Sequence, residues 1–540
     1  MIPVASLPVG DAASVFLREH AEGSSLFPAG GFASATALAR RAAVLDAWDG
    51  DRAALAAFLA AEHAAGHHPA QADSLAAAAR HDALFVLTGQ QPGLLGGPAL
   101  ALHKALTTVA WARAAAARLG RPVIPVFWIA GDDSDLAESN TAEFLEPDAA
   151  VTATSLDFPE TAAAIPMSLR LLDEAACRAL RAALPASWSP EARALVDACY
   201  RPGYSLTEAF RAVMQRLLGP HGVLCVDGFA AARRPEAQAI LRRVATAGAT
   251  FQEALARGTT RLRDTLALPP QVPVRPGTVP VFLFENRQRV RLHADEAGRV
   301  YEAGREGLDL RPLLERHTVL HSALTRPLVV DALFPALGHV LGPAELRYFA
   351  QLADVFPAFG RTFPLLAPRQ QALLIPDAAL RELGTLGFTP ADVPTLTPSR
   401  MRARLTETAW AAHAAADAFP DSEHDRLREA LAGYQARYFP AAGNRFEAAR
   451  RSLERALAHH RDTARALVFA ESGRTRFEAL QPLLRWLAGG SQDRHLNTLS
   501  LWNALQKGGP GTFDAYVAAL SRTGDEVTVM RGAAFDGEST

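Results

Sequence analysis

The sequence predicts an α/β protein built around a parallel sheet, with inserted lobes and a long helical segment towards its C-terminal end. The first observation lies in residues 83–140. Two apolar runs there, Leu84–Leu87 and Val123–Ala130, are short, β-branched or aromatic, and bounded by helix breakers, as strands are. Between them apolar residues recur at helical spacing after Pro98, which suits the first turn of a helix. Strand, helix and strand in this order form a βαβ unit with parallel strands.

Further apolar runs extend this core along the chain. Residues 1–80 are alanine-rich and helical, and they lead into the first strand. Gly222–Gly228 is typical of another buried strand, and it follows a mostly helical segment. The chain then returns to the core at Leu328–Val330. Gly342 and Pro343 can open a helix there, since proline suits a first helical turn.

A small lobe interrupts the core after a linker rich in proline, residues 269–280. Val281–Phe284 and Arg287–Leu292 indicate a pair of short strands that turn around Glu285 and Asn286. The lobe therefore separates the second part of the core from the third.

Long alanine- and arginine-rich helices are predicted between Pro376 and Pro482. Two sets of residues repeat every seven positions after Asn444, the expected helix cap, and the second set lies three positions beyond the first. Such a repeat indicates a coiled-coil seam, on which His460 would be a polar specificity residue. The two sets are Phe446, Leu453, His460 and Leu467, and Ala449, Ala456, Thr463 and Ala470.

These elements divide the chain into seven segments. The core occupies residues 1–150, 216–268 and 321–375, and is interrupted by a helical connecting lobe at 151–215 and the small lobe at 269–320. The coiled-coil domain covers 376–487, and 488–540 returns to the core.

Composition excludes several classes of function. The chain of 540 residues has 49% hydrophobic residues and a formal net charge of −2, without a lysine- or arginine-rich block that would favour nucleic acid. No signal-like start or long uncharged apolar stretch predicts a membrane segment, so a cytoplasmic protein is expected. The three cysteines are widely spaced and suggest neither a disulfide framework nor a metal site. We interpret Cys225 as a buried thiol, so cysteine would matter here only as substrate.

Two turns are expected at the same carboxyl edge of the sheet, where open α/β sheets bind ligands. The first, Thr88–Gly97, is rich in glycine and precedes a helix whose N-terminus would favour an anion. The second, Gly131–Asp135, is acidic. The glycine spacing matches neither the dinucleotide fingerprint nor the P-loop, so an anion site and a tight structural turn both remain open.

The residues of both turns resemble a known family. TGQQPGLLGGPALALHKA, from Thr88, and PVFWIAGDDSD, from Pro125, are similar to the bacillithiol biosynthesis cysteine-adding enzymes (BshC). Ser322–Phe349 and Gln492–Asn497 match two further motifs of that family. The resemblance implies a nucleotidylyltransferase-like Rossmann core with two inserted connecting lobes and a C-terminal coiled coil that often forms a homodimer. It also implies the last step of bacillithiol synthesis, which joins the carboxylate of L-cysteine to the amine of glucosaminyl malate.

That reaction predicts roles for particular residues. A carboxylate is a poor acyl donor, so we expect activation by ATP, with Mg²⁺ as a possible companion and no tightly bound metal. Asp133, Asp135 and Glu345 could orient or deprotonate the amine, and His103 could stabilise developing charge. The candidate substrate- or nucleotide-binding residues are Thr88, Gly89, Gln90, Gln91, Gly97, Lys104, Ser134, Asn140, Arg326 and Asn497.

Structural interpretations of the same residues stay open. Glu345 could simply cap a helix, His103 could be a core histidine, and Arg326 could bind local carbonyl groups. The cluster of Asp132, Asp133 and Asp135 could be a solvated turn or could hold Mg²⁺ with a nucleotide. We expect Lys104 to face the crevice from the surface, so that Lys104→Ala would reduce rate or anion affinity with little effect on the melting temperature.

One position departs from the family. The family usually has E-D-H-D where this chain has Asp132-Asp133-Ser134-Asp135, and a further family histidine is Thr141 here. Serine cannot replace histidine in proton transfer at neutral pH. Either that histidine is not the essential base, or the substrate differs, or activity is lost. A non-catalytic or altered-specificity relative that binds a small thiol or nucleotide is therefore the alternative function.

Overall fold

A computed structural model gives the fold of the chain. It describes residues 3–8, 12–66, 68–145, 151–158, 164–273, 275, 277–295, 297–300, 306–416, 421–487, 494, 496–507, 509, 511–520 and 526–532. Gln492, Asp493 and His495 of the last family motif lie outside the described residues.

The described strands are numbered in chain order. They are β1 (Pro3–Pro8), β2 (Leu84–Gln90), β3 (Val123–Ile129), β4 (Thr141–Leu145), β5 (Val151–Ser155), β6 (Leu224–Asp227), β7 (Thr278–Glu285), β8 (Gln288–His293), β9 (Thr318–His321), β10 (Ala336–Leu341), β11 (Leu365–Pro368), β12 (Gln371–Pro376) and β13 (Glu526–Gly532).

The described α-helices are numbered in the same way. They are α1 (Ala12–Glu19), α2 (Ala35–Leu45), α3 (Arg52–Glu62), α4 (Pro69–Ala78), α5 (Leu100–Leu119), α6 (Leu136–Ser139), α7 (Glu174–Ala183), α8 (Pro190–Cys199), α9 (Leu206–Leu218), α10 (Gly228–Ala232), α11 (Pro235–Thr246), α12 (Gly248–Leu266), α13 (Leu310–Arg316), α14 (Arg326–Leu333), α15 (Pro343–Gln351), α16 (Val355–Ala358), α17 (Asp377–Thr385), α18 (Pro398–Ala416), α19 (Asp421–Tyr438), α20 (Glu447–Val468), α21 (Arg474–Leu487), α22 (Thr498–Lys507) and α23 (Thr512–Leu520).

Five strands form the central sheet in the order β11-β10-β2-β3-β6, and every neighbouring pair is parallel. The strand order reverses between β2 and β10, because the chain first adds β3 and β6 on one side and later adds β10 and β11 on the other. Ligands of open α/β sheets bind at the carboxyl ends of the strands beside such a reversal. The predicted Rossmann-like α/β fold is confirmed, and the crevice is expected between the turns after β2 and β10.

The sheet is buried on both faces, as parallel sheets are. Phe85, Leu87 and Trp128 pack into one apolar cluster with α11, α12, α14 and α15. Leu84 and Val86, which point the other way, pack with Trp111 of α5 on the opposite face. This alternation follows from the two-residue period of a strand.

Most predicted elements are observed, with shifted ends. The helix after the glycine-rich turn begins at Leu100 instead of Pro98, and Leu328–Val330 lies in helix α14 instead of a strand. The strand pair of the small lobe is confirmed as β7 and β8, and Asn286 and Arg287 have positive φ in the two-residue turn that joins them.

The chain separates into two compact units, residues 1–374 with 493–540, and residues 375–492. Apart from the end of β12, the described elements of the second unit are helices. Among the described residues, no helix combines the length and the apolar character needed to cross a membrane.

The coiled-coil repeat is only half-buried within a single chain. Helices α19 and α20 lie side by side, since Arg428 and Glu454 form an ion pair and His424 approaches His460. On α20, however, Leu467 of the predicted seam is 60% exposed, whereas Leu457 and Val468 are buried. The intramolecular contact therefore includes the predicted seam residues Phe446, Leu453 and His460 but not Leu467.

Candidate functional site

A cavity of about 470 Å³ opens at the carboxyl ends of β2, β3 and β10, beside the reversal of strand order. Its size falls in the range of small-molecule sites. Its charged and polar lining comes from the turns after these strands and from the small lobe. These lining residues are Gln90, Gln91, Lys104, Asp132, Asp133, Glu138, Gln271, Arg289, His321, Arg326, Glu345, Tyr348, Arg369 and Arg494.

Lys104 and Glu345 form a buried ion pair at the strand reversal. Lys104 Nζ lies 2.6 Å from Glu345 Oε2 and also donates to Gly89 O and Gln90 Oε1, each at 2.9 Å. All three ammonium donors are thus engaged within the protein. Lys104 is only 4% exposed, so the expectation of a surface-facing lysine is wrong. Its position on α5, one turn after the helix begins, carries the side chain back under the end of β2.

Glu345 connects two elements of this site. Its Oε2 accepts the Gly342 N–H at 2.8 Å, so the predicted capping role at the start of α15 is observed. Its Oε1 lies 3.4 Å from Arg326 Nη2, which in turn donates to Tyr348 Oη at 2.5 Å. Burial would raise the pKa of Glu345, but Lys104 and Arg326 outweigh that effect and lower it. Glu345 therefore caps its helix and lines the cavity as a carboxylate at neutral pH.

The acidic turn after β3 forms the opposite side of the cavity. Arg289 reaches it from β8, with its Cζ 3.9 Å from the centroid of the Phe282 ring, and donates to Asp133 Oδ1 at 3.1 Å. Asp132 Oδ2 lies 3.8 Å from Arg289 Nη2 and 3.3 Å from His321 Nδ1. Burial raises the pKa of Asp132 to about 6 despite Arg289. Burial and the nearby arginines hold the pKa of His321 well below its usual value, so its ring is neutral.

A second layer of contacts holds the acidic turn in place. Ser168 Oγ donates to both carboxylate oxygens of Asp227, and Ser168 N donates to Gly131 O at 3.0 Å. A Cβ at Gly131 would lie 2.1 Å from Ser168 Oγ and 2.3 Å from Asp227 Oδ1. Glycine is therefore required at this position, and the connecting lobe positions the acidic turn.

The glycine-rich turn divides into two parts. Gly89, Gln90 and Gln91 line the cavity, and Gln91 Nε2 donates to Asp133 Oδ2 at 3.1 Å and to Glu138 Oε2 at 2.6 Å. Beyond Gln91 the turn is buried protein interior. Three of the predicted binding residues in this turn, Gly89, Gln90 and Gln91, therefore line the cavity.

The rest of the turn is fixed by the C-terminal segment. Asn497 Nδ2 donates to Leu94 O at 2.7 Å, Thr498 N donates to Gly97 O at 2.8 Å, and Ala99 N donates to Leu496 O at 2.8 Å. Part of the expected anion site at the start of α5 is therefore occupied by the protein itself. Gly97 and Asn497, both predicted binding residues, lie here and not among the lining residues.

Other predicted site residues also lie outside the cavity lining. His103 is buried, and its Nε2 lies 2.6 Å from Tyr516 Oη of α23. Thr88 Oγ1 donates to Val340 O and so joins β2 to β10, and Asn140 Nδ2 donates to Leu156 O. Asp135 is exposed at the start of α6. The structure does not bring these four side chains to the cavity.

Ser134 lies at the edge of the site. It is half-buried, and its backbone N–H donates to Asp133 Oδ1 at 2.7 Å. Its side chain is not among those that line the cavity. The structure thus places the departure from the family pattern beside the acidic turn and next to a cavity carboxylate.

Sequence reasoning missed Arg289, His321 and Arg369. Arg289 lies on β8 of the small lobe, where alternation indicates a strand but carries no signal for a ligand site. His321 ends β9, an unpredicted strand that pairs with β7 of that lobe. Arg369 follows β11, so its position after a core strand was an available signal. Asp132 and Tyr348 belonged to recognised motifs but were not among the predicted site residues.

Comparison with known proteins identifies the family. Residues 12–370 match the profile of the bacillithiol biosynthesis BshC N-terminal Rossmann-like domain. The chain belongs to the BshC family. A Heliobacterium modesticaldum protein named "Putative cysteine ligase BshC" is 30% identical over 420 residues, which cover 73% of this chain and 75% of that protein. Relatives of the same name from Geobacillus kaustophilus and Geobacillus thermodenitrificans are each 29% identical, over 81% and 58% of this chain and 86% and 59% of their own lengths.

The cavity of this BshC family member combines charges of both signs. Four guanidinium groups and four carboxylates line it. They are Arg289, Arg326, Arg369 and Arg494, and Asp132, Asp133, Glu138 and Glu345. Among the described residues, no group of three or more histidine, cysteine, aspartate or glutamate side chains is arranged to hold a metal ion. A site with both signs of charge suits small polar ligands that carry both carboxylate and amine groups.

Proposed function

We propose that this protein is a cysteine ligase of bacillithiol biosynthesis, which joins the carboxylate of L-cysteine to the amine of glucosaminyl malate. Membership of the BshC family carries the proposal, because its relatives bear that ligase name. The cavity supports it independently. One amino acid and one amino sugar bring carboxylates and amines together, and the cavity lining offers cations and anions in nearly equal number.

The two sides of the cavity divide the work in this proposal. On one side Arg326, held by Glu345 and Tyr348, binds and orients a carboxylate, since a guanidinium is a planar, fixed donor. On the other side the acidic turn of Asp132 and Asp133 binds the amine. Lys104 acts by fixing Glu345 and the end of β2, because its three donors are already engaged. The reacting groups are thereby held close together, which removes much of the entropic barrier.

ATP is the proposed activating substrate, and it would supply the leaving group that the cysteine carboxylate lacks. The cavity volume of about 470 Å³ and the guanidinium groups of Arg326, Arg369 and Arg494 fit part of a nucleotide and its phosphates. Gln91 Nε2 donates to the carboxylates of both Asp133 and Glu138, and these two carboxylates could share Mg²⁺ with phosphate oxygens. We also propose that the protein forms a homodimer through α19 and α20.

Deletion of the gene tests the proposal in cells. We expect bacillithiol to disappear from the thiol pool and glucosaminyl malate to accumulate, with restoration by the wild-type gene. In parallel, purified protein is incubated with L-cysteine, glucosaminyl malate and ATP, and the amide and the nucleotide products are measured by mass spectrometry. Omission of each substrate in turn is the control. An unchanged thiol pool in the deletion strain would rule out the ligase.

The substitution of the family histidine by Ser134 favours a second candidate, a relative that binds a small thiol or nucleotide without catalysis. Calorimetry with L-cysteine and with ATP separates the two. Binding without amide formation, in protein that retains its fold, would support the second candidate.

A further inference from the structure

Asp132 is the most deeply buried carboxylate of the cavity. It is 2% exposed and lines the cavity at the end of β3. Its Oδ2 lies near Arg289 and His321, whereas its Oδ1 has no hydrogen-bonding partner from another described residue. An unsatisfied carboxylate oxygen in the protein interior costs free energy. Such an atom beside a cavity is expected to act on a ligand.

Two other acidic groups of the cavity, Glu345 and Asp133, have both carboxylate oxygens engaged by donors. The remaining one, Glu138, is exposed and accepts Gln91 Nε2 at 2.6 Å, so it lacks the buried position of Asp132. Glu345 receives donors from Lys104, Gly342 and Arg326, and its pKa is lowered. Asp133 accepts from Ser134 N and Arg289 on one oxygen and from Gln91 on the other. A carboxylate whose two oxygens both accept hydrogen bonds offers no free oxygen to a proton, whereas Asp132 offers Oδ1.

We propose that Asp132 is the general base of the reaction, with Oδ1 accepting the proton that the attacking amine loses. This assignment rests on the proposed ligase function. The amine nitrogen uses its lone pair to form the C–N bond with the activated acyl carbon of cysteine. The bond from that carbon to the phosphoryl leaving group breaks, and its electron pair leaves with the phosphate or nucleotide. The proton passes from nitrogen to Asp132 Oδ1, so charge and atoms balance.

The surroundings of Asp132 suit this role at neutral pH. Burial raises its pKa to about 6, and Asp133 raises it further, while Arg289 and Arg326 oppose them. The charge of Asp132 also contributes to the raised pKa of Asp227, at the end of β6. His321 is neutral and does not compete for the proton. A base with a pKa slightly below the working pH is mostly ionised and still accepts a proton readily.

The pH dependence of the wild type and of Asp132→Asn tests the inference. The base works only when ionised, so we expect wild-type kcat/KM for the amine to fall as pH decreases through about 6. Asp132→Asn should lower kcat by roughly 10²–10⁴-fold, a larger change than in the KM of the amine, and lose this dependence. Asp132→Glu, which carries the residue that the family usually has here, should fold and show an intermediate kcat with a shifted pH dependence.

Asp331→Asn is the matched control, because Asp331 is also a buried carboxylate, paired with Arg41 at 2.8 Å, but it does not line the cavity. It should lower the melting temperature without changing kcat. A wild-type kcat and pH dependence in Asp132→Asn would overturn the inference while the ligase proposal stands. If Asp132→Asn does not fold, unchanged kcat and pH dependence in Asp132→Glu would overturn it. A wild type that forms no amide would overturn the ligase proposal, and this inference with it.

Discussion

Lys104 shows how burial changes the role of one side chain. An ammonium on the first turns of a helix beside a glycine-rich turn suggests an anion contact. In the structure its charge is compensated by Glu345 and by two carbonyl-type oxygens. Such a pair contributes little net stability compared with apolar residues, but breaking it leaves a buried charge without a partner. Lys104 therefore fixes the positions of Glu345 and the end of β2 beside the cavity.

We predict that Lys104→Met lowers the free energy of unfolding by about 1–3 kcal/mol at neutral pH, because Glu345 loses its closest cation and keeps only Arg326 and the Gly342 N–H. Urea denaturation measures this. The pKa of Glu345 is lowered in the folded protein, so its favourable contribution exists at neutral pH and is lost as pH falls through that lowered value. The difference in the free energy of unfolding between Lys104→Met and the wild type should therefore become smaller as pH falls.

The double variant Lys104→Met with Glu345→Gln is the control for this prediction. It removes both charges, so it should recover part of the lost stability. A single variant as stable as the wild type would show that the pair is not buried in solution.

Ser134 gives a second prediction at the level of one residue. Because its side chain does not line the cavity and Asp132 is the inferred base, Ser134→His should change the KM of the amine more than kcat. The pH–rate profiles of both proteins measure this. A large gain in kcat confined to pH values above the ordinary histidine pKa of about 6.5 would instead assign proton transfer to position 134.

At the level of elements, hydrogen bonds join the turn after β2 to the residues at the start of α22. Asn497 and Thr498 bind the carbonyl groups of Leu94 and Gly97, and Asn497 Oδ1 accepts Leu499 N. Both stretches were predicted as motifs of a binding site. Their described contacts are with each other, so these motif residues shape the turn whose first part, Gly89–Gln91, lines the cavity.

Helix α20 and its neighbour α19 present apolar side chains to solvent. Leu467 on α20 is 60% exposed, and Tyr434 and Tyr438 on α19 are 52% and 58% exposed. Leu453 and Phe446 face a separate groove between the two helices. Large exposed apolar groups on neighbouring helices are typical of a surface that another chain covers.

We predict that the protein sediments as a dimer and that Leu467→Glu shifts it to the monomer, because a charge would have to be desolvated at the interface. Sedimentation velocity measures the mass, and circular dichroism should show unchanged helicity. Ala466→Glu, at an exposed position outside the predicted seam, is the matched control and should remain dimeric. Unchanged mass for Leu467→Glu would contradict the seam.

At the level of the whole molecule, the three cysteines are free and buried. Burial raises the pKa of Cys225 to about 12 and that of Cys199 to about 11, so neither forms the reactive thiolate readily. We predict that the native protein resists alkylation by iodoacetamide and that all three thiols react after denaturation. Mass spectrometry counts the adducts. Rapid labelling of native protein at any one cysteine would show that its burial is incomplete.

The sequence by itself determined the local elements and their order. Apolar runs of period two, a helix between them and glycine-bounded turns specify the βαβ unit, because each signal depends on neighbours within a few residues. The same local patterns located Gln90, Gln91, Asp133, Arg326 and Glu345, which line the cavity. They could not separate these from Thr88, Gly97, His103 or Asn497, since all stand in the same motifs.

The tertiary structure decided which of these side chains meet. Arg289 and His321 reach the acidic turn because β8 and β9 belong to a lobe that packs beside β3, and no periodicity records this long-range contact. Lys104 finds Glu345 only because β2 and β10 are neighbours in the sheet. Burial and charge at Asp132 arise from the same long-range packing. Strand pairing across the chain, and not the local sequence, therefore determined the chemistry of the cavity.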